Sequence, residues 1–166
     1  MNARLDVLTD ADFSVLAALA RTIWHAHYAT LISIAQIDYM LAGRYTPENL
    51  RGYLATDDRW MCLLRLSDTP VGYCSWARTP TSDELKLEQL YLLQEHRGKG
   101  LGGLMLRHVE SHARTIGGKM LSLQVNKQNA DAVAVYQKAG FTVREEIVFD
   151  IGKGFVMDDF VMAKTL

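Results

Sequence analysis

Cysteine, net charge and long apolar runs are all scarce in this chain, and each scarcity closes off a class of protein. Cys62 and Cys74 are the two cysteines among 166 residues. Both lie in apolar, strand-like runs without metal-ligand company, so they read as reduced core residues of a cytoplasmic protein rather than a disulfide framework. A formal net charge of −1 gives no bulk attraction for nucleic acid or an anionic membrane. No apolar run approaches the roughly 20 residues of a membrane span. The amino terminus lacks the charged-then-apolar order of a secretory signal, and there is no internal repeat or low-complexity segment. What is left, 49% hydrophobic and 22% charged residues, is ordinary for a soluble globular protein. The length suits one domain, residues 1–166, with a full hydrophobic core.

The informative stretch runs from Leu85 to Gly103. Leu85, Leu87, Glu88, Leu90 and Leu92 belong to a segment of apolar residues alternating with polar ones, the period of a strand. A short polar loop follows, then Gly98, Gly100, Gly102 and Gly103, then an apolar-periodic helix from Leu101 to about Ile116. A strand, a glycine turn and a helix amino end together make a place for phosphates. The first-turn N–H groups have no internal partners and carry the positive end of the helix dipole. Glycine lets an anion approach that backbone with no Cβ in the way.

Gly98-x-Gly100-x-x-Gly103 spells a dinucleotide fingerprint, which requires an acidic residue about 20 positions further on for the ribose. No Asp or Glu occurs between Glu110 and Asp131, so the nicotinamide reading fails. No Lys-Ser or Lys-Thr pair closes the run, so a P-loop fails as well. The same residues also spell Arg97-x-x-Gly100-x-Gly102, and this segment resembles the pyrophosphate-binding motif of the GNAT superfamily of N-acetyltransferases. Further along, Asn129-x-x-Ala132-x-x-x-Tyr136-x-Lys138-x-Gly140-Phe141 is similar to a second signature of that family.

The element order agrees. Ala3 to Leu8 reads as a strand, and Thr9 with Asp12 caps a helix carrying Phe13, Leu16, Ala20, Ile23 and Trp24. Ser33 with Gln36 forms another capping box, and Thr46-Pro47 opens a short helix to about Ala55. Arg59–Leu66 and Val71–Arg78 form a hairpin around Ser67 to Pro70, and a loop from Thr79 to Asp83 leads into the central strand. After the glycine-led helix, Gly117-Gly118 stops it, and Lys119–Val125 is a strand. Asn129 caps the next helix, and Phe141–Phe149 and Phe155–Met162 are the last strands. The order β-αα(α)-βββ-α-β-α-ββ predicts a mixed α/β (α+β) sheet. The resemblance makes this an acyl-CoA N-acyltransferase fold with helices on both faces.

By resemblance, acetyl-CoA is the cosubstrate. Its pyrophosphate would lie on backbone from Arg97 through Gly98, Lys99, Gly100, Leu101 and Gly102 to Gly103. Its pantetheine arm would pair with Leu90 and Leu92, and the oxyanion donor would lie at a bulge around Leu90 or Tyr91. Asn129 is both a helix cap and a cofactor contact. Tyr136 is the candidate general acid, since a phenol of pKa about 10 can protonate a thiolate of pKa about 8.5. Glu88 is the candidate general base and is expected to share a strand face with Lys86, Leu90 and Leu92.

The acceptor is expected to be a small-molecule amine, with no nucleic acid or membrane partner, and the resemblance implies a homodimer through the late strands. The carboxyl-terminal run from Phe155 to Leu166 looks like bacterial spermidine/spermine acetyltransferases. Its Asp158 and Asp159 either attract a polycation or form a hairpin's polar edge. Trp24, His25, His27, Tyr28 and Tyr45 are read either as a helix pair covering the sheet or as the wall of an acceptor site. No metal site is expected: His108 and His112 lie four apart on a helix, but no third ligand joins them, and they read as a solvated pair. A non-catalytic acyl-CoA-binding module on the same fold is the alternative, since it would need neither Tyr136 nor Glu88.

Overall fold

The computed structural model describes residues 2–166. Seven strands form one sheet: β1 (Ala3–Val7), β2 (Arg59–Leu66), β3 (Thr69–Arg78), β4 (Glu84–Leu92), β5 (Met120–Asn126), β6 (Thr142–Gly152) and β7 (Phe155–Thr165). The helices are α1 (Phe13–Tyr28), α2 (Ile34–Arg44), α3 (Pro47–Leu54), α4 (Leu101–Thr115) and α5 (Ala130–Lys138). The spatial order is β1-β2-β3-β4-β5-β7-β6. Neighbours are antiparallel except β4 and β5, which run parallel.

The caps explain where the helices begin. Asp12 accepts from the Thr9 backbone at 2.9 Å and from its hydroxyl at 2.8 Å, closing a single 3-10 turn before α1 starts at Phe13. Ser33 Oγ accepts from the Gln36 amide at 3.1 Å, but the expected box is only half made. The Gln36 side chain turns instead to β7, reaching the Val156 carbonyl at 3.3 Å and Met157 Sδ at 3.5 Å. Thr46 Oγ1 accepts from Asn49 ahead of α3, and Asn129 Oδ1 accepts from Ala132 ahead of α5.

Two apolar layers clasp the sheet. α4 and α5 lie over one face, with Leu85, Leu87, Leu92, Leu101, Met105, Leu121, Leu123 and Phe141 buried beneath them. α1, α2 and α3 lie over the other, on Leu16, Trp24, Ile37, Leu50, Leu63 and Tyr73. Each such side chain contributes roughly 1.5–3 kcal/mol on leaving water. Cys62 and Cys74 face one another across β2 and β3 as free, buried thiols. The last hairpin is longer and tighter than the sequence suggests: β6 begins after the buried Phe141 and extends to Gly152, and the turn is made by Lys153 and Gly154 at positive φ. Among the described residues, no helix is long and apolar enough to cross a membrane.

Two features of β4 position the site. It pairs with β5 only from Glu84↔Met120 to Leu87↔Leu123, and beyond that point the two central strands diverge. Its register with β3 jumps between Ser75↔Gln89 and Trp76↔Leu87, leaving Glu88 as the extra residue of a bulge. A bulge sets two consecutive residues against one and resets the alternation of faces.

Candidate active site

The bulge corrects two expectations at once. It lies at Glu88 rather than around Leu90 or Tyr91, and Glu88 does not share a face with Leu90 and Leu92. Those leucines lie on the α4 side. Glu88 lies with Gln89 and Tyr91 on the α1 side, where Arg59 Nε approaches its Oε1 at 3.6 Å and the Arg59 guanidinium covers the Tyr53 ring. Simple alternation from Glu88 fails because the extra residue shifts the count by one.

Around the bulge the α1 face is a chain of buried hydrogen bonds. Trp24 Nε1 donates to the Tyr73 hydroxyl at 2.9 Å, the Tyr73 and Tyr45 hydroxyls meet at 2.7 Å, and Tyr45 donates to Gln89 Oε1 at 2.9 Å. Gln89 Nε2 then donates to Tyr53 at 3.2 Å. Trp24 and Tyr45 are therefore core residues that hold the bulge in place, which favours the covering-helix reading for them. Tyr28 and Tyr91 join hydroxyls at 2.9 Å closer to the divergence of β4 and β5. Burial is the first cause raising the pKa of each of these tyrosines, so they stay protonated through the physiological range.

At the carboxyl end of β4 the chain makes a short 3-10 turn at Gln94–His96 and enters the glycine loop. Gly98 has φ 74° and Gly100 φ 81°, a region costly to residues with a Cβ. Gly100 is the N-cap of α4 and supplies no side-chain cap. The first bond inside the helix is Leu104 N–H to the Gly100 carbonyl at 3.0 Å, so the N–H groups of Leu101, Gly102 and Gly103 are free to take an outside acceptor. Gly102 is different again. Its φ is not positive, and a Cβ there would meet no atom within 4 Å. Neither strain nor packing calls for glycine at Gly102; the space beside it suits a ligand against the backbone. Arg97 and Lys99 are exposed in the same loop. The residues present fit a pyrophosphate.

Three of the predicted or neighbouring residues converge across the divergence. His27, in the last turn of α1, has its Nδ1 3.2 Å from Arg97 Nη2 and its Nε2 2.9 Å from Asn129 Nδ2. Arg97 also donates to the Leu92 carbonyl at 3.4 Å. Guanidinium nitrogens only donate, and the Asn129 oxygen is already occupied by Ala132. A neutral imidazole can accept at one nitrogen alone, so this trio holds one donor too many and suits an acceptor-rich group between Arg97 and Asn129. Burial first, then Arg97, lowers the His27 pKa against the opposing effect of Asp131. Sequence reasoning gave His27 no individual role, because only the packing of α1 over the sheet brings it to Arg97.

Tyr136 stands on the opposite side of the sheet from Glu88. Its ring packs edge-on against Phe141 at 5.7 Å within the α4–α5 layer, and its hydroxyl makes no hydrogen bond among the described residues. Burial raises its pKa, with Tyr91 as the second cause. The predicted solvated histidine pair is corrected at one member: half-buried His112 Nδ1 accepts from Trp76 Nε1 at 3.0 Å, whereas His108, its ring 5.7 Å from Trp76, is exposed. Burial lowers both pKa values. No group of three or more His, Cys, Asp or Glu able to hold a metal occurs among the described residues.

The model of the acetyltransferase (GNAT) family matches residues 22–141. The chain belongs to this family. Within it, the chain is 25% identical over 162 residues to the spermidine N(1)-acetyltransferase of Thermoplasma acidophilum, covering 95% of this chain and 97% of that one. The streptothricin acetyltransferase of Streptomyces lavendulae is 35% identical over 71 residues, 43% of this chain and 35% of that protein's length. The chain thus spans about a third of that relative. Among solved structures, the PaiA N-acetyltransferase of Thermoplasma acidophilum in complex with coenzyme A superimposes with a TM-score of 0.86 at 24% identity, over 100% of both chains. That likeness places this GNAT chain in the acyl-CoA N-acyltransferase fold.

Proposed function

We propose that this GNAT protein transfers the acetyl group of acetyl-CoA directly to the primary amine of a small molecule, with polyamines the leading acceptor class. The observation that carries the reading is the open space at Gly102 beside the free first-turn N–H groups of α4, together with the divergence of β4 from β5. Backbone from Arg97 to Gly103 would hold the pyrophosphate. The freed edge of β4 at Leu90 and Leu92 would take the pantetheine, and Asn129 would contact it from the far side. Bound there, acetyl-CoA supplies an activated acyl group.

The two proton-handling residues stand on opposite faces, which suits a direct transfer through the gap. Glu88 on the α1 side takes a proton from the acceptor's ammonium, and the neutral nitrogen then forms its bond to the acyl carbon. Tyr136 on the α5 side donates a proton to the sulfur as the carbon–sulfur bond breaks. Protons and charges balance: Glu88 takes one proton from the ammonium and passes it to solvent, while Tyr136 gives one to the thiolate and is reprotonated by the one the nitrogen loses as the amide forms. The full-length similarity to a spermidine N(1)-acetyltransferase supports an amine acceptor and puts polyamines first.

Calorimetric titration with acetyl-CoA, then free-thiol release over a panel of amines, tests this. Acetyl-CoA binding with amine-dependent release is expected. Absence of acetyl-CoA binding would remove the phosphate-site argument, and binding without release from any amine would favour a non-catalytic acyl-CoA module.

A further inference from the structure

Asp158 and Asp159 are adjacent on β7 and meet opposite fates, because successive strand side chains point to opposite faces. Asp158 is exposed and bound by Lys127 at 2.7 Å. Asp159 is 4% exposed. It shares its face with Met157, whose sulfur is reached by Gln36 of α2, so it lies on the α1–α2 side, the side of Glu88. Its backbone sits opposite Asn126, the last residue of β5, at a level where β4 has already diverged.

One oxygen of this carboxylate is left unsatisfied among the described residues. Its Oδ1 is shut off from solvent and meets no donor. The charged and titratable groups that act on it are Asp158 on its own strand, Lys86 on β4 and Lys127 beyond β5, while Asp159 in turn acts on Tyr91 of β4. Lys127 is occupied by Asp158 and by Glu146 at 3.3 Å, and Lys86 acts through space without a hydrogen bond. Buried carboxylates are normally given donors by the fold itself. An isolated one level with the gap between β4 and β5 is suited to a donor that arrives with the ligand.

We propose that Asp159 anchors a second, protonated nitrogen of the acceptor, so that the preferred substrates are diamines and polyamines rather than monoamines. This rests on reading the α1 side of the divergence as the acceptor side. The attacking nitrogen must be neutral near Glu88, whereas a distal ammonium keeps its charge and brings the N–H donors that Asp159 lacks. Burial, then Asp158, raises the Asp159 pKa to about 6 against the opposing lysines. The anchor therefore gains its charge as pH rises through that value.

The test compares wild type with Asp159→Asn by free-thiol release at saturating acetyl-CoA, using putrescine, spermidine and the matching monoamine n-butylamine. The substitution should raise KM for putrescine and spermidine by roughly ten- to hundredfold, the worth of a charge-assisted hydrogen bond. KM for n-butylamine and Kd for acetyl-CoA should stay within about twofold. In wild type, the ratio of putrescine KM to n-butylamine KM should fall between about pH 5 and pH 7 and then level, and this limb should vanish in the variant. Equal losses for monoamine and diamine, or no loss for either, overturn the anchor. Should the variant not fold, a flat ratio in wild type overturns it. Thiol release from n-butylamine with no preference for putrescine defeats the anchor alone, whereas release from no amine defeats acetyl transfer itself.

Discussion

Tyr136 and Glu88 are the residues whose chemistry is most directly open to measurement. Tyr136 is half-buried against an apolar layer with its hydroxyl unpartnered among the described residues, which leaves its proton available to a sulfur leaving through the gap. Tyr136→Phe should lower kcat by roughly 10²-fold or more, a usual share for general acid catalysis. Acetyl-CoA affinity by calorimetry should stay within a few-fold, and unchanged turnover would remove Tyr136 from the mechanism. Burial raises this phenol's pKa, so ionisation of Tyr136 should not limit the rate on the alkaline side up to its ordinary value of about 10. Glu88→Gln should act differently. It removes the proton acceptor at the bulge, so the loss in kcat/KM for the amine should be greatest near neutral pH. The loss should shrink as pH rises toward the amine's own pKa, where the acceptor is already neutral. A pH-independent loss would indicate that Glu88 acts through Arg59 or by fixing the bulge.

At the scale of elements, the glycine loop with α4 is a unit whose glycines have separable reasons. Gly102→Glu should leave the fold intact, because the added side chain enters open space and a carboxylate in the first turn suits the helix dipole. It should abolish acetyl-CoA binding, since it sets a like charge against the phosphates; retained affinity by calorimetry would mean that the phosphate site is elsewhere. Gly100→Ala is instead a backbone experiment. At φ 81° the substitution should cost about 1–2 kcal/mol of stability in chemical denaturation. The loop, the helix it starts and the cap at Asn129 were legible in the sequence because each depends on contacts a few residues apart. The face of Glu88 was not. An inserted residue leaves no local mark in an alternating run, and only the pairing of β4 with β3 reveals the shifted register.

For the whole molecule, ligand and proton linkage report on the site through stability. Acetyl-CoA at about a hundred times its Kd should stabilise the fold by roughly 2.7 kcal/mol, an upward shift in Tm that Gly102→Glu should lose. Asp159 gives a second handle. Its folded pKa of about 6 lies above the 3.8 of the free side chain, so the folded state binds the proton more tightly. The stabilisation is fully present below the unfolded value and is lost as pH rises through the folded one. Between about pH 4 and pH 6 the fold should lose up to about 3 kcal/mol on this account, at roughly 1.36 kcal/mol per tenfold change in proton affinity. Asp159→Asn should flatten that slope in denaturant titrations.

The sequence by itself determined the element order, the glycine loop ahead of α4, the starts of the helices and the likeness to the GNAT family, because periodicity, glycine placement and capping are local and survive in one dimension. Only the tertiary structure decided that the bulge falls at Glu88, that His27 meets Arg97 and Asn129, and that Asp159 is buried while Asp158 is not. Those facts depend on strand register and on which helix covers which face. Both are set by packing between residues far apart in the chain.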